Sequence, residues 1–192
     1  MKAFLQFRTY LFCLLLALPL GIATAEDDYS STIKIFQEAG ESGAFFNNSY
    51  GYAVFPTIGK GGVGIGGAYG KGRVYADGAW KGDTSMSQLS VGFQFGGQAY
   101  SQIIFFEDKR AYDEFTSGNF EFSADASAVA ITAGASASAG STGSAAGASA
   151  GKKDATTVGA YHKGMATFTV AKGGLMYEAV VAGQKFSYKP RQ

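Results

Sequence analysis

At 192 residues, with 46% hydrophobic and 16% charged residues, the chain has the composition of one folded domain rather than of a disordered segment. Its formal charge of +1 lacks the positive surplus by which a nucleic-acid partner is held. One cysteine, Cys13, gives no disulfide framework, so stability must come from packing and strand pairing.

Lys2 and Arg8 make a basic start, and Tyr10 to Gly21 read YLFCLLLALPLG. Ala23-Thr24-Ala25 then places small residues where a signal peptidase reads. The apolar run, roughly 13 residues, is shorter than the ~20 that span a bilayer. Residues 1–25 are therefore expected to be a signal peptide cut before Glu26. Cys13 lies inside that run and is not expected to carry an acyl chain. Without Lys2 and Arg8 the exported chain keeps 14 basic and 15 acidic residues, a net of −1. Any anion binding must be local.

Residues 26–49 read as a helical lead-in. Ser30, Ser31 or Thr32 can cap it, and Ile33, Phe36 and Ala39 or Gly40 fall on one stripe. Gly40 and Gly43 keep the helix short. Phe45 and Phe46 follow, and read either as core or as an aromatic wedge into a membrane interface.

From Tyr50 onward the periodicity is close to 2. Tyr52 to Phe55 is expected to be a short strand stopped by Pro56. Val63–Tyr69 and Arg73–Tyr75 read as paired strands, with turn chemistry at Asp77-Gly78 and Gly82-Asp83. In the stretch from Ser87 to Phe106, Leu89, Val91, Phe93 and Phe95 share a face. Gly96-Gly97 marks a bend, and Ile103 to Phe106 are expected to be buried on both sides. Asp108 caps a helix with Ala111 and Phe115 inward, and Gly118 stops it. Residues 133–151 hold only Gly, Ala, Ser and one Thr, a low-complexity loop or an extended arm. Strands return at Thr167–Val170, Leu175–Val181 and Lys185–Tyr188. The expected fold is β-rich α+β: a single domain, residues 50–192, of curved antiparallel sheet with one or two short packing helices.

The most informative stretch is YGYAVFPTIGKGGVGIGGAYGKGRVY, Tyr50 to Tyr75, in which nine of 26 residues are glycine. Glycine alternates there with Val63, Ile65 and Tyr69 as in a strand, which implies an ordered sheet with little side-chain cover. Gly62 to Gly67 satisfy a dinucleotide string, but no helix begins there to meet a pyrophosphate. Gly59-Lys60-Gly61-Gly62 lacks the hydroxyl residue that holds magnesium in a phosphate loop. What remains is a concave anion site of glycine N–H groups beside a lysine. Between Ile58 and Lys81 stand Lys60, Lys71, Arg73 and Lys81 against one acid, Asp77. That cluster reads as a solvated surface or as a phosphate-binding one.

Chemistry has little to work with. His162 is the lone histidine, no G-x-S-x-G elbow is present, and the exported chain has no thiol for a metal. No enzyme, cofactor or metal site is expected.

Four separated motifs carry a resemblance: Tyr50–Tyr75, Ser90 to Gln98 (SVGFQFGGQ), Phe105-Phe106 with the helix to Phe115, and Ser123 to Ser127 (SADAS). In this order they resemble the SYLF domain family, from about Ile33 to Val181. The resemblance implies a lipid-binding module, some of whose eukaryotic members also bind actin. It places head-group phosphates on Lys60, Lys71 and Arg73; Gly61, Gly62 and Lys81 join the candidate site from the reading of the glycine N–H groups and the charge cluster. The short, acidic N-terminal helix departs from the eukaryotic pattern of membrane insertion. With an export signal, periplasmic phospholipid fits better than cytosolic phosphoinositide or actin. The expected function is non-catalytic binding of an anionic phospholipid membrane, peripherally in the periplasm, with Phe45 and Phe46 as membrane contacts. The alternative is a structural or protein-interaction component of the envelope, with an envelope protein as partner.

Overall fold

The structure, a computed structural model, describes residues 25–63, 65–91, 98–131, 160–172 and 181–192. Its strands are β1 (Gly51–Val63), β2 (Ile65–Ala76), β3 (Ala79–Val91), β4 (Gln98–Phe106), β5 (Phe120–Glu121), β6 (Val129–Ile131), β7 (Met165–Lys172) and β8 (Lys185–Pro190). They form one curved sheet in the order β5-β8-β3-β2-β1-β4-β7-β6. The class is β-rich α+β, as expected. The pairings are antiparallel except β6 with β7, which makes the sheet mixed. Residues 1–24 of the expected signal peptide, Gly96-Gly97, residues 133–151 and most of Leu175–Val181 lie outside the described residues.

Both faces of β4 and β7 are buried over most of their length, and alternation divides the side chains here and in β1 between two cores. Val54, Ile103, Phe105 and Phe168 face α1 (Ala25–Glu38), α2 (Gly40–Gly43) and α3 (Phe45–Asn48). Ala53, Phe55, Ile104 and Phe106 point the other way and pack with Ala111 and Phe115 of α4 (Lys109–Phe115) and with Phe186. Ile103 to Phe106 are fully buried, as their unbroken apolar run requires. Among the described residues no helix is long and apolar enough to cross a membrane.

The predicted helix signals hold for α4. Asp108 Oδ1 accepts the Ala111 N–H at 2.8 Å, and Gly118 has φ +93° beyond the helix end. At the N-terminus the expectation is corrected. Ser30, Ser31 and Thr32 lie inside α1, so none of them caps it, and Thr32 is buried beside Phe36 and Ala39 on the inner stripe.

Three further expectations change. Val63–Tyr69 and Arg73–Tyr75 are not two paired strands: from Ile65 to Tyr75 one 2-residue period runs on through Gly70 and Gly72 as β2, which pairs with β1 and β3. Pro56 does not stop β1. The strand continues through a bulge, with the register shifting between Val54 and Thr57 toward β2 and between Phe55 and Ile58 toward β4. Proline cannot donate to a ladder, so pairing skips it, while its carbonyl accepts a 2.7 Å bond from Ser101 Oγ. Gly82-Asp83 is no turn either. Both residues are in β3, and a Cβ at Gly82 would meet the Tyr188 ring at 2.7 Å. The reversal is made by Asp77 (φ 53°) and Gly78 (φ 69°), the two positive φ angles of a tight hairpin.

Candidate functional site

The glycine-rich hairpin β1–β2 has two unlike faces. On the inner one a Cβ at Gly70 would stand 2.6 Å from Ile58 Cγ1, and one at Gly72 2.6 Å from the Phe55 ring. These glycines let two core side chains fold across the neighbouring strand. On the outer face, Gly59 and Gly61 have nothing within 4 Å of a built Cβ. Gly70 and Gly72 thus serve packing, whereas Gly59 and Gly61 leave sheet backbone uncovered.

That outer face is the one α1 to α3 cover, chiefly at the end near Val54, Ile103 and Phe105, with the first turn of α1 reaching Lys172 through Asp28. At the other end no described residue lies over the face. One row across it runs Lys185–Ser87–Tyr69–Gly59–Ala99–Lys172, each residue directly opposite the next. Residues so paired point to the same side. Six strands at ~4.8 Å spacing make this row about 24 Å long. Lys71 stands in the next row, opposite Thr57 on β1 and Ser85 on β3. Gly61 and Gly67 lie on the side away from Lys71, opposite each other, with Leu89 beyond Gly67. Leu89 is 86% exposed, Ile65 72% and Tyr69 54%.

The cations here are weakly engaged. Lys172 Nζ donates to Thr57 Oγ1 at 2.8 Å and lies 3.9 Å from Asp28. Lys185 Nζ is 3.4 Å from Glu121. Such surface pairs are worth about 0–1 kcal/mol and are readily exchanged for another anion. An extended, lightly basic, partly apolar surface with a backbone floor can meet a flat anionic body.

The structure brings together only part of the predicted residue set. Lys71 is on the bare face. Lys60 lies opposite Ala68, a core residue, so it projects to the other side of the sheet. Lys81 sits where the β2–β3 register shifts and bridges to Asp77 at 3.4 Å. Arg73 is on the outer face, but its guanidinium lies 3.8 Å from the Trp80 ring centre and 4.3 Å from that of Tyr29. Gly61 and Gly62 are strand residues opposite Gly67 and Gly66, not a loop of converging N–H groups. Phe45 and Phe46 are half-buried on the sheet: Phe45 meets Phe105, Phe168 and Tyr161, and Phe46 meets Tyr52 and Phe105. The wedge expected of them gives way to packing.

Lys172, Lys185 and the exposure of Ile65 and Leu89 were not singled out from the chain. The two lysines lie far from Lys71 in sequence, and only the strand order joins them. Ile65 and Leu89 carried a signal, since they fall in step with Lys71 along their strands, but alternation does not tell which face is left open.

His162 belongs to another cluster. Its Nε2 is 3.0 Å from Asp125 Oδ2, Lys163 Nζ donates to Asp125 Oδ1 at 3.2 Å, and Ser123 Oγ also bonds this carboxylate. These contacts hold Asp125 well below the usual carboxylate range, the Ser123 bond first and Lys163 next. The serine is bonded to the acid and not to the imidazole, so this is no nucleophile–base relay. A cavity of about 220 Å³ beside it lies between Ser127, Val129, Tyr161, His162, Met165 and Phe168, and none of its described lining residues is a lysine or arginine.

The chain is 26% identical over 178 residues to "Beta cell expansion factor A" of Aeromonas veronii, an alignment covering 87% of this chain and 56% of that protein. The chain thus spans about half the length of that curated relative. The family model Ysc84, "Las17-binding protein actin regulator", matches residues 87–188, which run from the outer rows of β3 through β8. That is more than half of the chain: it belongs to the Ysc84, or SYLF-domain, family.

Proposed function

We propose that the protein is a non-catalytic binding domain of the cell envelope that docks on anionic phospholipid at the periplasmic face of a membrane. The family suggests lipid- or actin-related binding in general. The observation that carries the finer reading is the uncovered half-face, where Lys71, Lys172 and Lys185 stand about a row of small residues. Its ~24 Å breadth suits a surface of many head groups better than one enclosed phosphate. Three cations at about 1 kcal/mol each give weak, salt-sensitive attachment.

Sedimentation with vesicles containing phosphatidylglycerol, against phosphatidylcholine alone, tests this. Binding is expected only to the anionic vesicles and to weaken with salt. Lys71→Glu, Lys172→Glu and Lys185→Glu together should lower it roughly 100-fold at low salt. Equal sedimentation on neutral vesicles, or no effect of the three reversals, would refute the reading. Pull-down of an envelope protein that depends on the same lysines while vesicles are ignored would favour the protein-interaction alternative.

A further inference from the structure

The bare face holds more than charge. Leu89 lies directly opposite Gly67, and Ile65 and Tyr69 stand two residues to either side of that glycine on β2. Both are therefore diagonal neighbours of Leu89, roughly 7–8 Å away and within reach of long side chains. The three residues form one apolar patch on the outer face toward the Ile65 end of β2. Next to it on β1 come Gly59 and Gly61, opposite Tyr69 and Gly67, which add no covering side chain. Three of the four large hydrophobics most exposed among the described residues are gathered there; the fourth, Ile35, is on α1. Single exposed apolar residues are ordinary, but a contiguous group rimmed by polar residues marks an interaction surface.

The rim says which partner. Lys71 follows Tyr69 by two positions on the same face, Lys185 is one strand beyond Ser87, and Lys172 closes the row on the far side. Aromatic and aliphatic side chains at the centre with lysines around them match the layering of a bilayer surface, where phosphates overlie hydrocarbon. Acids are also present: Glu121 and Asp28 pair with the outer lysines, and Asp83 is opposite Arg73 and Lys189. The residues directly opposite Lys71, Thr57 on β1 and Ser85 on β3, are not acids.

The geometry points to insertion of Leu89, Ile65 and Tyr69 into the acyl boundary of an anionic phospholipid bilayer, with Lys71, Lys172 and Lys185 on the phosphates above. This rests on the lipid-binding reading and adds the depth and orientation of docking: Leu89, Ile65 and Tyr69 go in, the first turn of α1 lies at the level of Lys172, and α3 with Phe45 and Phe46 stays outside.

An indole introduced by Leu89→Trp reads this directly. The protein as it stands carries Trp80, which lies between the Arg73 and Arg191 side chains and serves as the reference. With phosphatidylglycerol vesicles brominated on the acyl chains, Leu89→Trp fluorescence should be quenched, and that of the unaltered protein should not. Leu89→Asp and Ile65→Asp should each weaken vesicle partitioning at least about tenfold without changing the melting temperature. Vesicle binding by the Leu89→Trp variant with its added indole unquenched would overturn the inference and leave the lipid-binding reading standing. No vesicle binding by the unaltered protein would remove both. If Leu89→Asp instead dissociated a dimer while vesicle binding persisted, the patch would belong to a second copy of this chain, and the inference would fall.

Discussion

The Arg73 guanidinium lies 3.8 Å from the centre of the Trp80 ring, across the β2–β3 pairing. The Tyr29 ring of α1 meets the same guanidinium at 4.3 Å, and Arg191 meets Trp80 at 4.3 Å. Arg73 therefore joins α1 to the sheet, and Trp80 is the ring that Arg191 meets from β8's end. A cation that reads from the chain as a phosphate ligand is placed as a clamp.

Arg73→Ala should accordingly cost about 1–2 kcal/mol of stability and increase amide exchange in α1. Lys71→Glu, on the same face two residues away, should stay within about 0.5 kcal/mol. Denaturant midpoints with hydrogen exchange decide it. Equal effects of the two changes would show that Arg73 holds nothing.

The glycines of β2 and β1 should separate by face. Gly72→Ala places a methyl group 2.6 Å from the Phe55 ring and should destabilise by about 1–3 kcal/mol. Gly59→Ala meets open space and should be neutral or slightly stabilising, since glycine weakens a strand interior. Thermal melts of the two variants are the measurement.

Phe45→Ala opens the aromatic layer against Phe105, Phe168 and Tyr161. A fully buried Phe costs about 3–5 kcal/mol on truncation, and this half-buried ring should cost about 2 kcal/mol. Vesicle binding by the folded fraction should be unchanged. A loss of binding at full stability would restore Phe45 to the membrane.

Alkaline pH should unfold the protein in a defined window. Burial first, and Tyr75 next, push Tyr52 up to about 12. Burial raises Tyr100 to about 12 as well, against the Gln184 hydrogen bond, which lowers it. The folded state then holds protons that the unfolded state releases near 10.0. The stabilisation is complete below about pH 10 and is lost as pH rises toward about 12. Urea midpoints measured from about pH 8 to about pH 11 should fall above about pH 10, and tyrosinate absorbance should appear together with unfolding. Tyr100→Phe should flatten part of that fall.

Much of the architecture was legible because it is local. The 2-residue period after Tyr50, the Asp108 cap, the Asp77-Gly78 reversal and the apolar run Ile103 to Phe106 each depend on neighbours in the chain. Pro56 misled for the opposite reason: the bulge that carries β1 past it is made by strands on both sides. The same holds for Gly82, whose bare position is required by Tyr188 of β8.

Composition and alternation by themselves determined a β-rich α+β domain whose glycines leave strand backbone bare beside cations, because side-chain size and period act along a single strand. Tertiary structure alone decided which face stayed open. Strand order brought Lys172 and Lys185 into one row with Tyr69, and the placement of α1 to α3 covered one end while leaving Leu89 in solvent. It also sent Lys60 to the opposite side of the sheet and put Arg73 between two rings. Charge can be counted along a chain, but its convergence is a property of pairing register and of what packs on top.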